Sequence, residues 1–262
     1  MRLRPLRFAA VALMLAGTSR LHAGDHMTAA EVRTTVTSTP AGGKIDLTGR
    51  NMSGDNLSGL DLSGADLSRA NLAGANLYGV KLVGANLTAA DLSGADLTFT
   101  WIIRADFTRA NLHHAQLQTI VTSTALSNTQ AEAATFVSAD LSDASMTVHF
   151  SFDNMRGADF SHAMMSADMS NQSMGLLRTE FDSADLIGAN FADAGLGHVT
   201  FRFARLNRAN FTGADLRDAD FTGAYLTGAD FTDAKVEGAK FDGATLNDVT
   251  GLTRLAGTRS AQ

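Results

Sequence analysis

Histidine and acidic side chains are the residues from which this sequence could assemble a metal-binding or catalytic site. It contains seven histidines and 27 Asp and Glu residues. His113 and His114 are adjacent. The other histidines of the central region are isolated, and no carboxylate stands at a fixed metal-ligand spacing from them: His149, His162 and His198. Because a metal site needs several ligands that converge on one point, the sequence predicts no metal site.

Motifs for catalysis are equally weak. Serine is abundant, but no GxSxG elbow occurs. Glycine forms no phosphate-binding loop ahead of a helix. The acidic residues recur at regular intervals rather than as a desolvated pair that could separate acid and base roles. The chain has no cysteine, which excludes thiol catalysis and disulfides. These observations predict that the protein is not an enzyme and has no cofactor.

Almost all of these polar side chains belong to a sequence repeat with a period of five. The stretch GADLSRANLAGANLYG, residues 64–79, shows it three times. A large apolar residue recurs at every fifth position in two unbroken series of fifteen, Leu47 to Leu117 and Leu176 to Leu246. Ala usually stands two residues before this apolar residue, and Asp or Asn stands between them. The repeat must therefore determine how the polar residues are arranged.

A period of five fits neither an α-helix, with 3.6 residues per turn, nor an extended strand, with two. The chain must turn a corner in every repeat to keep the same face buried. Four repeats then close a coil of twenty residues in which Ala and the large apolar residue point inward. Asp or Asn faces outward. Stacked coils of this kind form a solenoid in which each coil contacts only its neighbours.

Repeats of the form A(D/N)LXX resemble those of the pentapeptide repeat family. The resemblance covers residues 45–248, with an interruption in the middle. It implies an all-β fold, a right-handed quadrilateral β-helix, here with about ten coils and a length of roughly 45–50 Å. The columns of this fold join residues twenty positions apart. Asn interleaved among the Asp residues of a column relieves the repulsion between stacked acids, and both side chains can hydrogen-bond locally at turns.

The ends of the chain depart from the repeat. Three arginines, an apolar run over 8–17 and Ala23 form a signal-peptide layout. The run is too short to span a membrane, so no span is predicted in the mature chain. The alternative is that Met27 is the true start, which would leave the protein in the cytoplasm. The predicted organisation is a signal peptide over 1–23, an N-terminal cap over 24–44, regular repeats over 45–117, irregular repeats and a loop over 118–175, regular repeats over 176–248 and a C-terminal tail over 249–262.

Both ends of the solenoid need covers, because a coil end exposes unpaired strand edges. Thr28 and Glu31 have the spacing of a capping box and predict a short helix over 29–36. At the other end, the apolar set Val249, Leu252 and Leu255 is too short for a good lid. The sequence therefore predicts end-to-end homodimerisation through the last coil.

The irregular middle leaves two alternatives open. Residues 118–135 form either a distorted coil or a loop. The repeat resumes at Phe136 and slips by one residue at Phe150 and again at Met169. These slips predict shortened sides or bulges. The methionines near them either fill gaps in a kinked coil or belong to a concave binding surface.

Aromatic and aliphatic residues at outward positions predict an apolar patch. Its members are Phe99, Trp101, Ile103, Ile120 and Val121. Such patches on a polar surface usually bind something. Either the 118–135 segment covers this patch, or it binds a protein partner, which the sequence does not identify.

Charge defines the alternative function. Residues 46–250 hold 25 acidic and 13 basic residues, a net charge of −12, so no direct nucleic-acid binding is predicted. The preferred function is a rigid protein-interaction or structural module that is periplasmic or secreted. The family resemblance implies the alternative, an acidic DNA-mimicking protein that binds or protects DNA gyrase or topoisomerase, if the N-terminus is not an export signal.

Overall fold

The coils of the repeat stack as a solenoid with four faces. The computed structural model describes residues 25–40, 42–123, 129–166 and 178–252. Parallel bridges join outward residues twenty positions apart, such as Asp46 to Asp66 and Asp66 to Asn86. We call the faces that begin at Asp46, Asn51, Asn56 and Asp61 faces one to four. Face one contains ten outward residues joined by nine bridges, one residue for each coil, which is the predicted number of coils.

Among the residues that the structure describes, regular secondary structure is confined to a few short elements. Helix α1 is Ala29–Ser38, strands β1 and β2 are Gln116–Gln118 and Ser145–Thr147, and a 3₁₀ helix spans Gln130–Glu132. Strands β1 and β2 pair in parallel. The remaining rungs in the described parts of the chain are single bridges. The backbone therefore satisfies its hydrogen bonds mainly between coils rather than within elements.

The core contains the two inward positions of each repeat. Before the last coil, the large apolar residues and the alanines two positions before them are almost completely buried, as Leu67 and Ala65 illustrate. In the first half, the large residue is mainly Leu on every face. From Phe150 onward, two opposite faces carry stacked Phe ladders that also meet edge to face across the axis: Phe160, Phe191, Phe211 and Phe231 on face two, and Phe150, Phe181, Phe201, Phe221 and Phe241 on face four.

The outward Asp and Asn residues hold the turns. Their Oδ1 atoms accept hydrogen bonds from the backbone N–H two residues later, for example Thr98 to Asp96 at 2.9 Å. Asn residues are interleaved among the acids of a column, and Asn86 Nδ2 donates to Asp66 Oδ1 at 3.1 Å. These carboxylates therefore perform a structural task in the coil.

Nearly every described corner contains a residue in the left-handed region, two positions after the buried apolar residue. Gly64 has φ 68°, and Arg104, two coils later on the same corner, has φ 57°. Gly adopts this conformation without strain, whereas other residues carry a cost. Many corners nevertheless hold a side chain, which projects from the edge of the solenoid.

The faces stay in register across the irregular middle, although the number of residues between bridged positions changes there. The coil continues through Val121, which forms a bridge with Trp101. In the next coil Thr135 forms a bridge with Asp106, and Phe107 N–H donates to the Thr135 carbonyl oxygen. The rung from Asp106 to Thr135 therefore skips the inserted stretch and is wider in sequence than a regular rung. Residues 118–123 thus end one coil and residues 129–135 lead into the next, while the part of the predicted loop or distorted coil between them lies outside the described residues. In the next coil Thr135 pairs with Asn154, just short of the regular spacing, which locates the first predicted slip.

A second insertion follows Met165. His149 pairs with Glu180, so this rung is again wider in sequence than a regular one. The predicted repeat centres Met169, Met174 and Leu176 lie outside the described residues. From Phe181 onward the coils return to the regular spacing, as the rung from Glu180 to Thr200 shows.

The N-terminal cap forms as predicted, and α1 begins at the expected capping box. Glu31 N–H donates to Thr28 Oγ1, and Thr28 N–H donates to the Glu31 carboxylate at 2.8 Å. Val32 is completely buried against the core.

At the other end, Val249 and Leu252 pack against the core, whereas Leu246 is 38% exposed. Leu255 lies outside the described residues, and the end-to-end homodimer stays a prediction. Within the part of the chain that the structure describes, no helix combines the length and apolar character needed to cross a bilayer.

Candidate functional site

Face four carries a column of outward residues that differs from the Asp and Asn pattern. Its first four residues, joined by parallel bridges, are Asp61, Lys81, Trp101 and Val121. The Lys81 ammonium lies 6.0 Å from the centroid of the Trp101 ring and 3.8 Å from Asp61 Oδ2. The pKa of Asp61 is below its usual value because Ser63 hydrogen-bonds to the carboxylate, with Lys81 adding to the effect. Lys81 thus links an acid to an exposed aromatic ring.

A pair of exposed aromatic residues lies near Trp101, at the edge between faces three and four. Tyr78 and Phe99 meet edge to face, with ring centroids 5.4 Å apart. Their exposed fractions are 48% and 43%, and that of Trp101 is 37%. We call Tyr78, Phe99 and Trp101 the aromatic corner. Tyr78 was not predicted to belong to the patch, although it stands directly after Leu77, where most repeats have a small residue.

Two members of the predicted patch are buried instead. Ile103 is only 3% exposed and Ile120 is 7% exposed. Ile120 stands two residues before Thr122, the position that Ala takes in other repeats, so it points into the core. Ile103 points outward but is covered. Val121 is partly exposed on face four. The patch is therefore a row of aromatic rings beside Val121, without the two isoleucines.

The insertion explains the burial of Ile103. Arg104 N–H donates to the carbonyl oxygen of Glu132 at 3.0 Å, so the 3₁₀ helix lies against the corner after Ile103. A groove of about 550 Å³ runs between that helix and face four. Trp101 and Ile103 form its apolar side, and it is lined further by Asp61, Ser63, Lys81, Val83, Arg104, Ala131 and Glu132. The insertion thus covers part of the predicted patch and leaves Phe99 and Trp101 exposed.

The most strongly perturbed carboxyl group lies inside the solenoid. Asp153 is 1% exposed and occupies the inward position that Ala usually takes. Its Oδ1 accepts a hydrogen bond from Ala134 N–H at 2.8 Å, while Oδ2 has no partner. Burial raises the pKa of Asp153 to about 8, against the opposing effect of that hydrogen bond. A substrate in solvent cannot reach this group, so it bears on stability rather than on catalysis.

The structure also brings together three side chains that were not predicted to lie close to one another. His113, His114 and Asp143 offer ligand atoms that all lie within 4.8 Å of one another. No carboxylate beside His113 and His114 was predicted from the sequence. The insertion lengthens the step between these two coils, so Asp143 could not be assigned to this column from the sequence.

Comparisons with known proteins agree with this architecture. The sequence profile described as a pentapeptide repeat region matches residues 175–250. The profile of pentapeptide repeats in eight copies matches residues 51–88 and 90–118. Together the matches cover more than half of the chain. No protein of curated function is a significant match to the sequence.

Among solved structures, the chain is similar to HetL, a pentapeptide repeat protein involved in heterocyst differentiation regulation from the cyanobacterium Nostoc sp. strain PCC 7120. The identity is 27% over 86% of this chain and 95% of HetL, with a TM-score of 0.57. QnrB1, a plasmid-mediated fluoroquinolone resistance protein, is 20% identical over 75% of this chain and 88% of its own, with a TM-score of 0.35. For a pentapeptide repeat protein from the Arabidopsis thaliana thylakoid lumen, the identity is 24%, the coverage 58% and 67%, and the TM-score 0.20.

Five-residue repeats wound into square coils, together with the two profile matches, establish the family. The predicted right-handed quadrilateral β-helix is confirmed. The chain therefore belongs to the pentapeptide repeat family.

Proposed function

We propose that the protein is an exported, non-enzymatic interaction module whose aromatic corner and adjoining groove bind a protein partner. The exposure of three aromatic side chains at one edge of a rigid solenoid carries this proposal. Tyr and Trp are enriched among the residues that dominate binding energy at protein interfaces. The partner binds a surface held by inter-coil hydrogen bonds on both sides, so few side chains need to be ordered on binding.

The groove adds polar groups to this apolar edge. Lys81 and Arg104 line it together with Asp61 and Glu132. Both signs of charge are therefore available beside Trp101 to orient a partner, while the rings supply the buried area. HetL, described as involved in the regulation of heterocyst differentiation, has a role compatible with a binding module.

The DNA-mimic alternative is less well supported by the arrangement of the acids. Outward Asp residues accept hydrogen bonds from the turns that they stabilise. Several others form ion pairs with arginine, so their charge is partly neutralised: Asp182 with Arg202, Asp185 with Arg156 and Arg205, and Asp215 with Arg217. A DNA mimic instead needs a continuous acidic surface. The acids here are interrupted by Arg and Lys near the C-terminal end.

Export is tested by fractionating the producing cell and measuring the intact mass of the protein. We expect a chain that begins near Gly24 in the exported fraction, because residues 1–23 have the layout of a cleaved signal peptide. A chain that begins at Met27 in the cytoplasm would contradict export and return DNA gyrase to consideration, with a supercoiling assay as the next measurement.

Binding is tested by site-specific photo-crosslinking in the producing cell. The photoreactive residue p-benzoylphenylalanine replaces Phe99 in one variant and Tyr225, an exposed aromatic residue on face one, in the control. We expect position 99 to give a discrete cross-linked protein whose yield falls at least tenfold when Trp101→Ala is added. Identical products from position 225, or a yield unaffected by Trp101→Ala, would rule out binding at the aromatic corner.

A further inference from the structure

One corner of the solenoid, between faces two and three, carries imidazole and carboxylate side chains in consecutive coils. His113 and His114 follow the buried Leu112, and Ser142 and Asp143 follow Leu141 in the next coil. The rung between Asn111 and Asp140 joins the two coils, and His114 N–H donates to the Ser142 carbonyl oxygen at 3.1 Å. The backbone ladder thus holds two histidines directly beside an aspartate from beyond the insertion.

The side chains of this corner converge. His113 Nδ1 lies 3.7 Å from Asp143 Oδ2, and the two imidazole centroids are 4.0 Å apart. One ligand atom from each of His113, His114 and Asp143 lies within 4.8 Å of the others. We propose that this His–His–Asp corner binds a divalent transition-metal ion such as Zn²⁺.

A hydrogen-bond chain orients the first imidazole for this role. Ser142 Oγ donates to Asp140 Oδ1 at 2.6 Å, so its oxygen is left to accept a hydrogen bond from His113 Nδ1, 2.9 Å away. His113 then carries its proton on Nδ1, the atom that faces Asp143, and its lone pair on Nε2, so the exposed Asp143 carboxylate must turn from Nδ1 toward Nε2 to share a metal ion with it. Metal-binding histidines characteristically donate the second ring N–H to an oxygen in this way, which fixes the tautomer and the ring plane.

The donor set matches a borderline-soft ion. Two imidazoles and one carboxylate suit Zn²⁺, Ni²⁺ or Cu²⁺ better than Mg²⁺ or Ca²⁺, which prefer oxygen ligands. Zinc bonds of about 2.0–2.2 Å place the ligand atoms of a tetrahedral site about 3.3 Å apart. Because His114 and Asp143 are exposed, rotation of their side chains can close the remaining distance. Solvent completes the coordination.

The column continues beyond these three residues. Asp143 N–H donates to the Ser161 carbonyl oxygen at 3.0 Å, so His162 occupies the same corner in the following coil. His114, Asp143 and His162 all have left-handed backbone conformations, with φ of 56°, 56° and 59°. Gly94 takes this place in the coil before His114. Glycine is therefore a fold-preserving replacement at each of these positions.

Zinc titration of the purified, tag-free protein by calorimetry tests the proposal. The ligand-removing variants are His114→Gly and Asp143→Gly. The matched control is His198→Gly, since His198 lies at another corner with φ 63° and 3.9 Å from Asp218. We expect one equivalent of Zn²⁺ bound by the wild-type chain and by the control, and at least tenfold weaker binding by each of the two ligand-removing variants.

A second readout separates binding at this corner from binding elsewhere. Zinc should shift the imidazole NMR signals of His113 and His114, and leave those of His149 and His198 in place. The proposal is overturned if the double variant His114→Gly/Asp143→Gly binds zinc as well as the wild-type chain, or if His198→Gly weakens binding equally.

Discussion

Replacing Phe211 by Ala is expected to lower the free energy of unfolding by about 3–5 kcal/mol. Phe211 is completely buried and stacks between Phe191 and Phe231, with centroids 5.0 and 4.8 Å away. It also meets Phe201 and Phe221 edge to face across the axis. The deletion therefore removes contacts with three coils, and the neighbouring coils cannot collapse into the cavity without breaking their hydrogen-bonded ladder.

Two substitutions define the baseline for this effect. Phe211→Leu keeps an apolar side chain of the kind found at Leu92 and Leu112 on the same face, and should cost less than about 1.5 kcal/mol. Phe203→Ala removes a ring that is 59% exposed and should change stability by less than about 0.5 kcal/mol. Urea unfolding monitored by circular dichroism measures all three. An equal effect of Phe211→Ala and Phe203→Ala would show that the Phe ladder does not stabilise the coils.

Hydrogen exchange should show which coils lose stability in the Phe211→Ala variant. Each coil contacts only its neighbours, so a defect in one coil weakens its own segment first. We expect Phe211→Ala to lower amide protection over about residues 181–241 while residues 47–112 keep theirs. Uniform loss of protection along the chain would mean that the solenoid unfolds as a single cooperative unit.

Asp153→Asn is expected to stabilise the protein at neutral and alkaline pH and to change the shape of its stability–pH curve. The pKa of Asp153 is raised to about 8 in the folded protein, above its value in the unfolded chain. Below about pH 4 both states are protonated, and the group has no effect on stability. As the pH rises toward 8, the unfolded chain releases a proton that the folded protein retains, so stability falls; above 8 the loss is complete.

The expected size follows from the pKa difference. A difference of about four between the folded and unfolded pKa values corresponds to about 5 kcal/mol between pH 3 and pH 9. Asn removes the titration and keeps an oxygen for Ala134 N–H. Asp153→Ala also removes the titration and matches Ala134 and Ala184, but it leaves that N–H without its acceptor. Unfolding midpoints between pH 3 and 9 provide the measurement. If wild-type and Asp153→Asn curves run parallel, burial does not raise this pKa.

The fold was predictable because the repeat is a local rule. Leu47 to Leu117 keep the same phase, so each coil could be counted without reference to any distant residue. The Thr28 and Glu31 cap was equally local. Long-range columns were predictable only while every coil had the same length.

The candidate sites lie beside the insertion, where columns can no longer be found by counting twenty residues per coil. Residues between Thr122 and Glu132 are inserted into one coil, so the sequence could not place Asp143 beside His114. Cover of the apolar patch by segment 118–135 was one of two alternatives, and the sequence did not show that it would reach Ile103 and leave Phe99 and Trp101 exposed. Ile120 was wrongly assigned to the surface although its position two residues before Thr122 indicates an inward side chain. Tyr78 could have been found from its size, since it stands where other repeats have Ser or Ala.

The square coil also determines what an insertion or deletion does to this molecule. Winding five extra residues into the stack would rotate everything downstream by a quarter turn and move each surface column to the adjacent face. Winding in twenty would instead translate it by one coil spacing, about 4.8 Å. The two insertions here leave the order of the faces unchanged, because Asp106 still pairs with Thr135 and His149 with Glu180. A change in chain length therefore rotates the downstream surface, translates it or leaves it in place. Added residues that are not wound into the stack keep every existing site aligned.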